Sequence, residues 1–189
     1  MLDSVKFFVK KYMYLCKLKK KKCVVHKSIM VKEPQFIHWG DGVVLGEGTK
    51  LLCWSSYNSG KKTQKLNPNL TIGNNVHATR NFVVQCAGKI SIGNDVLIAS
   101  NVFVIDYNHG VNPCTKSYLD NDLNVSEVVI KDGAWIGNDV VILAGVSIGE
   151  KSIIGAGSVV TKSIPDFTIA VGNPAKVIKE WNDVKTSKE

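Results

Sequence analysis

A histidine with an acid three residues before it stands where this chain changes rhythm. His109 lies in Val104-Ile-Asp-Tyr-Asn-His-Gly, at the point where a regular six-residue beat stops. A lone loop histidine is ordinarily a bystander. This one interrupts an otherwise strict repeat, so something other than packing holds the stretch there. An imidazole titrating near 6.5 can take a proton from a hydroxyl nucleophile at neutral pH. One ring nitrogen must face the nucleophile, and a partner must fix the other. Asp106 is one candidate partner, and a backbone carbonyl is the alternative. No Ser-His-Asp triad is apparent, so direct transfer without a covalent enzyme intermediate is expected.

The beat itself defines what must position this group. From residue 130 six consecutive hexads open at Ile130, Ile136, Ile142, Ile148, Ile154 and Val160. Each carries a small or aliphatic residue at its fifth position. Gly is frequent at the second position, and Asn, Asp, Gly or Lys at the third and fourth, which are turn residues. Three hexads close a triangle, and triangles stack at strand spacing of about 4.8 Å. The phase extends upstream through Leu66, Ile72, Ala78 and Val84. It slips by two at Lys89-Ile90, then resumes at Ile92, Ile98 and Val104. A looser set opens at Trp39, Leu45 and Leu51. Residues 57–65 and 108–129 fall outside the phase as two excursions. An antiparallel sheet would alternate with period two, which this chain does not.

Composition narrows the class. The chain has 189 residues, enough for one domain with a core. Five cysteines (Cys16, Cys23, Cys53, Cys86, Cys114) make an odd set with no Cys-x-x-Cys spacing. With no evident cleavable signal, a reduced cytoplasmic protein is expected. Residues 1–22 hold eight lysines and one acid, +7 of the net +8. The body is therefore near neutral, which argues against a nucleic-acid face. Leu2, Val5, Phe8, Val9, Tyr12 and Leu15 or Cys16 can share one face of a helix. That helix is too charged to span a bilayer. It can lie on an anionic membrane at the inner face, or pack on the coil end or a neighbouring subunit. Either way the first coil needs a cap over its open edge.

The hexads Ile136-Gly-Asn-Asp-Val and Ile154-Gly-Ala-Gly-Ser-Val resemble those of the hexapeptide-repeat acyltransferases. The stretch Leu97-Ile-Ala-Ser-Asn-Val-Phe-Val-Ile-Asp-Tyr-Asn-His-Gly is similar to the catalytic stretch of galactoside, maltose and capsule or lipopolysaccharide O-acetyltransferases. The resemblance covers about residues 30–180. It implies an all-β fold, a left-handed parallel β-helix of hexapeptide repeats. The hand rests on the resemblance, because the general crossover rule favours the right. The expected organisation is a basic amphipathic helix over 1–22, the β-helix over 23–168 with its protruding loop, and a tail over 169–189.

The same resemblance implies chemistry. His109 falls on the family's catalytic base, which activates a sugar hydroxyl against the thioester of acetyl-CoA. No metal is required. Val76-His-Ala-Thr-Arg-Asn-Phe matches a stretch ending in an acceptor-binding asparagine, so Asn81 is expected to orient the acceptor, since an amide both donates and accepts. Trp135 closes its hexad and should point outward, to line the acceptor pocket, to meet another subunit, or both. Gln85 and Tyr107 complete the expected acceptor set. Where galactoside acetyltransferases carry acids, this chain has Gln85-Cys86-Ala87, which speaks against a simple galactoside. Gly137, Asn138, Ala144, Ala156, Thr161 and Lys162 are expected along the pantetheine arm. Lys176 and Lys179 are expected at the nucleotide phosphates, or in water as a solvated tail. A homotrimer with sites between subunits follows from the family.

Other classes stay in view. An antibiotic or amino-sugar acetyltransferase would use the same frame. A serine acetyltransferase would need a large helical domain before the coil. A zinc enzyme needs three converging histidines. His77 and His109 lack a third, since His26 and His38 lie in the early region.

Overall fold

The computed structural model describes residues 18–59 and 62–181. The hexad logic is realised as a three-sided parallel coil. The chain visits three sheets in turn, an eight-stranded first face, a six-stranded second face and a five-stranded third face. Strands within each are parallel apart from the last one. First-position residues point inward and stack in register. Leu51, Val84, Val104, Ile142 and Val160 form one such column on the second face, all buried. Burying one such side chain is worth roughly 1.5–3 kcal/mol.

The corners separate two kinds of constraint. Fourth-position residues adopt the left-handed conformation, with φ of 54° at Asn75, 55° at Asn81, 62° at Asn101 and 58° at Asp139. Asn and Asp tolerate that region. Second-position glycines do not supply the strained dihedral, contrary to expectation. Their φ is ordinary, and they are required by close approach instead. A Cβ on Gly46 would lie 1.4 Å from the Thr79 carbonyl oxygen of the next coil. Buried fifth-position hydroxyls are satisfied locally. Ser152 donates to the Gly149 carbonyl at 2.7 Å and Ser158 to that of Gly155 at 2.6 Å.

Residues 18–20 are helical, and Leu18 is buried against the core at the open end of the coil. The expected helix to residue 22 stops short, because residues 21–22 form a turn; its residues 1–17 lie outside the described residues. The expected tail over 169–189 is different in kind. Thr168–Val171 is a further strand of the first face, pairing parallel with Ile153–Ile154. The chain then turns at Gly172, φ 103°, and Lys176–Glu180 returns antiparallel beside it.

Coil length reports where the beat is broken. Val141 pairs with Val159, eighteen residues on, the ideal three hexads. Val83 pairs with Phe103, twenty on. Lys50 pairs with Val83, thirty-three on, and Phe103 with Val141, thirty-eight on. All three surpluses fall at the same corner, between the second and third faces. They occupy residues 54–68, 87–88 and 106–127. The third excursion thus ends before Val128–Ile130, two residues earlier than the periodicity suggests. Three successive coils carry long, short and long insertions, so the two long ones can meet across the short one.

Candidate functional site

The first long insertion forms an antiparallel hairpin, Ser56–Asn58 with Thr63–Lys65. The second forms an antiparallel ribbon, Tyr107–His109 with Leu123–Val125, joined by residues 110–122. His109 pairs in register with Leu123. It is therefore held by a ribbon, although it is exposed. The hairpin clamps that ribbon. The Gln64 side chain accepts from the Leu123 N–H at 2.7 Å and donates to the Leu123 carbonyl at 3.1 Å. Lys62 meets Asp122 at 2.7 Å. Gly88, on the short coil between them, is required by space. A Cβ there would lie 2.3 Å from Val125 Cγ1 on the return strand.

Gln64→Leu leaves both Leu123 backbone groups without a partner, at a cost of about 1–3 kcal/mol. Its expected mark is faster hydrogen exchange at the Leu123 amide, with exchange in the coil core unchanged.

Between hairpin and ribbon lies a cavity of about 180 Å³ lined by Trp54, Ser56, Tyr57, Tyr107, His109 and Leu123. Its walls are largely aromatic. The Trp54 indole Nε1–H is buried with no hydrogen-bond acceptor among the described residues, and the Lys32 ammonium lies 3.2 Å from the ring centroid. Tyr57 packs edge-on to His109, with ring centroids 5.5 Å apart and planes at 70°. Its Oη is 3.4 Å from His109 Nδ1 and donates to the Leu119 carbonyl at 2.8 Å. A larger hollow of about 460 Å³ on the outer third face has Thr71, Ser91, Asn94, Lys131 and Asp132 in its wall. It contains no histidine, cysteine or aromatic side chain, and its titratable groups are Lys131, Asp132 and Glu150.

Asp106 is not the partner of His109. Its carboxylate is fully buried and accepts from the Ala87 N–H at 2.7 Å and the Gly88 N–H at 2.8 Å. The physical reason is a bend at residue 106, between Phe103–Ile105 and Tyr107–His109, which turns its side chain under the short coil while His109 stands exposed on the ribbon. Burial pushes its carboxyl above the ordinary range, and the two backbone donors pull the other way with less effect. Asp106 thus closes the short coil beneath the site.

Asn81 also lies elsewhere. It occupies a left-handed corner between the first and second faces, where its Nδ2 donates to Asn101 Oδ1 at 2.9 Å. Asn101 in turn donates to Asp139 at 2.9 Å. The strand Val83–Cys86 separates that corner from the one that carries His109. Tyr107 lines the cavity, but its hydroxyl is already engaged, donating to Gln85 Oε1 at 2.6 Å. Burial and the nearby Asp106 charge raise the phenol, which keeps it a donor. Cys86 is buried in register with Cys53 one coil below. The hydrogen bond its S–H gives to Cys53, then burial, raise its thiol, so it is no nucleophile.

Trp135 does point outward, 48% exposed, in a row with Leu97 and Ile153 on the first face. The expected donor-site residues divide between places. Gly137, Asn138 and Ala156 sit at the first-to-second corner. Ala144, Thr161 and Lys162 sit at the second-to-third corner. Lys176 and Lys179 lie on the returning strand, where the Lys179 ammonium is 5.5 Å from the Trp181 ring centroid. Within one protomer these groups, Trp135 and His109 do not converge. Among the described residues no three His, Cys, Asp or Glu side chains gather to hold a metal. None of their helices is long and apolar enough to cross a membrane.

Trp54, Ser56, Tyr57 and Gln64 were not expected at the site. The available signal was the shared corner, legible in the coil lengths, of the two excursions.

Residues 127–162 match the family model described as bacterial transferase hexapeptide (six repeats). The chain is 33% identical over 166 residues to a putative lipopolysaccharide biosynthesis O-acetyl transferase, WbbJ, of Escherichia coli K12, covering 84% of this chain and 79% of that protein. It is 40% identical over 115 residues to the galactoside O-acetyltransferase of the same organism, covering 61% and 56% respectively. The match thus spans little more than half of that enzyme's length. Among solved structures, a maltose O-acetyltransferase from Clostridium difficile 630 superposes with a TM-score of 0.56 at 29% identity, covering 86% of this chain and 72% of that one. A hexapeptide-repeat acetyltransferase of Vibrio cholerae O1 biovar eltor, complexed with acetyl coenzyme A, gives a TM-score of 0.56 at 24% identity, covering 86% and 75%. This chain belongs to the hexapeptide-repeat acetyltransferase family, and its three-faced coil is that family's left-handed parallel β-helix.

Proposed function

We propose that this protein transfers an acetyl group from acetyl-CoA to a hydroxyl of a saccharide, of the kind built into cell-surface polysaccharides or their precursors, with His109 as general base. The observation that carries the reading is the placement of His109. It is fixed on a ribbon at the wall of an aromatic-lined cavity, where the coil is interrupted. Aromatic walls suit the apolar faces of a sugar ring. The relatives named as O-acetyltransferases support the same acceptor chemistry.

In this mechanism the acceptor oxygen attacks the thioester carbonyl as its proton passes to the imidazole. The tetrahedral adduct collapses, the C–S bond breaks, and the imidazolium returns the proton to the departing thiolate. The Asn138 N–H is the proposed oxyanion donor, a role worth about 3 kcal/mol. Small residues fit the corners of the late coils to an extended pantetheine arm. Gly137, Ala144 and Ala156 leave backbone groups accessible there. The separation within one protomer supports a site shared between subunits, in the homotrimer proposed. The corner of His109 and the corner of Gly137, Asn138 and Ala156 can face one groove only if different subunits supply them.

The test is release of free thiol from acetyl-CoA with a panel of saccharides, amino sugars and lipid-linked oligosaccharides. Acceptor-dependent release with hydroxyl sugars is expected. Release only with amines would replace the reading by N-acetylation.

A further inference from the structure

We propose that Tyr57, on the first excursion, fixes the tautomer of His109 and so makes Nε2 the base. The inference rests on the reading of His109 as base and adds a positioning residue to it. The argument is a count of protons. A phenol has one hydrogen to give. Tyr57 gives it to the Leu119 carbonyl at 2.8 Å, which can only accept. Its contact with His109 Nδ1, at 3.4 Å, therefore runs the other way, from Nδ1–H to Oη. A neutral imidazole carries one N–H. With that hydrogen on Nδ1, Nε2 keeps its lone pair for the acceptor proton. Free histidine prefers the opposite tautomer, so the protein must impose this one. The contact is long for a hydrogen bond, as those of unliganded sites often are. The edge-on packing of the two rings holds the same arrangement.

The inference explains why two breaks in the repeat share a corner. The ribbon supplies the base, and the hairpin supplies its orientation. Gln64 keeps the two in register through Leu123, which pairs with His109. Asp106, the acid nearest in sequence, is left free to hold the coil below.

The experiment uses the full chain labelled with ¹⁵N-histidine. Long-range ¹H–¹⁵N correlation spectra are taken above the imidazole titration, and the His109 signals are assigned by their loss in His109→Gln. The expected result is the Nδ1–H tautomer in the native protein. Tyr57→Phe, which keeps the edge-on ring, should return His109 toward Nε2–H. Its kcat should fall roughly 10- to 100-fold, less than the loss of the base itself, while KM for acetyl-CoA stays within about twofold. Native His109 in the Nε2–H form overturns the proposal without any variant having to fold. So does a tautomer indifferent to Tyr57→Phe. Neither readout needs turnover. If His109→Gln turns over normally, it is the base that fails, and the tautomer result still stands or falls by itself.

Discussion

His109→Ala is expected to lower acceptor-dependent turnover by about 10²- to 10⁴-fold, the contribution a positioned general base makes. The loss should fall on kcat, with the Kd for coenzyme A close to native. His109 lies at the corner between the second and third faces and touches the hairpin and its own ribbon. The coil that packs the protein is indifferent to it, because the side chain is exposed. Thermal stability should therefore change little. Kinetics at saturating donor, calorimetric titration with coenzyme A and a melting curve check the three statements. A fall in coenzyme A affinity matching the fall in rate would mean that the residue binds the donor.

The second large effect is expected at Asp106, for a different reason. Asp106→Ala strips the acceptor from two backbone N–H groups, those of Ala87 and Gly88. A buried N–H left unpaired costs about 1–3 kcal/mol, and two stand here on one short coil. Destabilisation of roughly 2–5 kcal/mol follows. The ribbon also sits on this coil, with Val125 directly over Gly88. Turnover should fall as well, through displacement of the ribbon. Asp106→Asn keeps one acceptor oxygen and turns an amide N–H₂ toward the other donor, so it should recover little stability. The discriminating readout is the His109 tautomer in the folded fraction. A direct partner would change it on substitution, whereas a residue that closes the coil would not. Chemical denaturation and the same labelled-histidine spectra decide between them.

The columns of the coil were readable in the sequence because they obey a local rule. First and fifth positions are apolar or small in every late hexad, and those positions point inward. Third and fourth positions carry turn residues, and the fourth is left-handed at Asn75, Asn101 and Asp139. The same rule sets Asn81 at a first-to-second corner, apart from His109 within one protomer. It is a fourth-position residue, and its amide is spent on Asn101. Proximity in sequence does not bring Asp106 to His109, because the bend at residue 106 turns its carboxylate onto the Ala87 and Gly88 N–H groups. The tail was underrated because Thr168–Val171 pairs with the coil without following the hexad spelling.

The pairing of the two excursions has no local spelling at all. Tyr57 meets Leu119 across sixty-two residues and Gln64 meets Leu123 across fifty-nine. No periodicity links such positions. What does link them is arithmetic on the interruptions. Surpluses after Cys53, Cys86 and Ile105 all follow a strand of the second face, so the insertions must stack at one corner. Function in a repeat protein concentrates where the repeat is broken, because only there is the backbone free of the stacking requirement.

The most direct test of the central claim follows carbon-13 acetyl from labelled acetyl-CoA into a hydroxyl-bearing saccharide, with the native protein and His109→Gln side by side. An acetyl ester that accumulates with the native protein and stays near background with the variant is the predicted result. Ester formation at equal rates by both would contradict it.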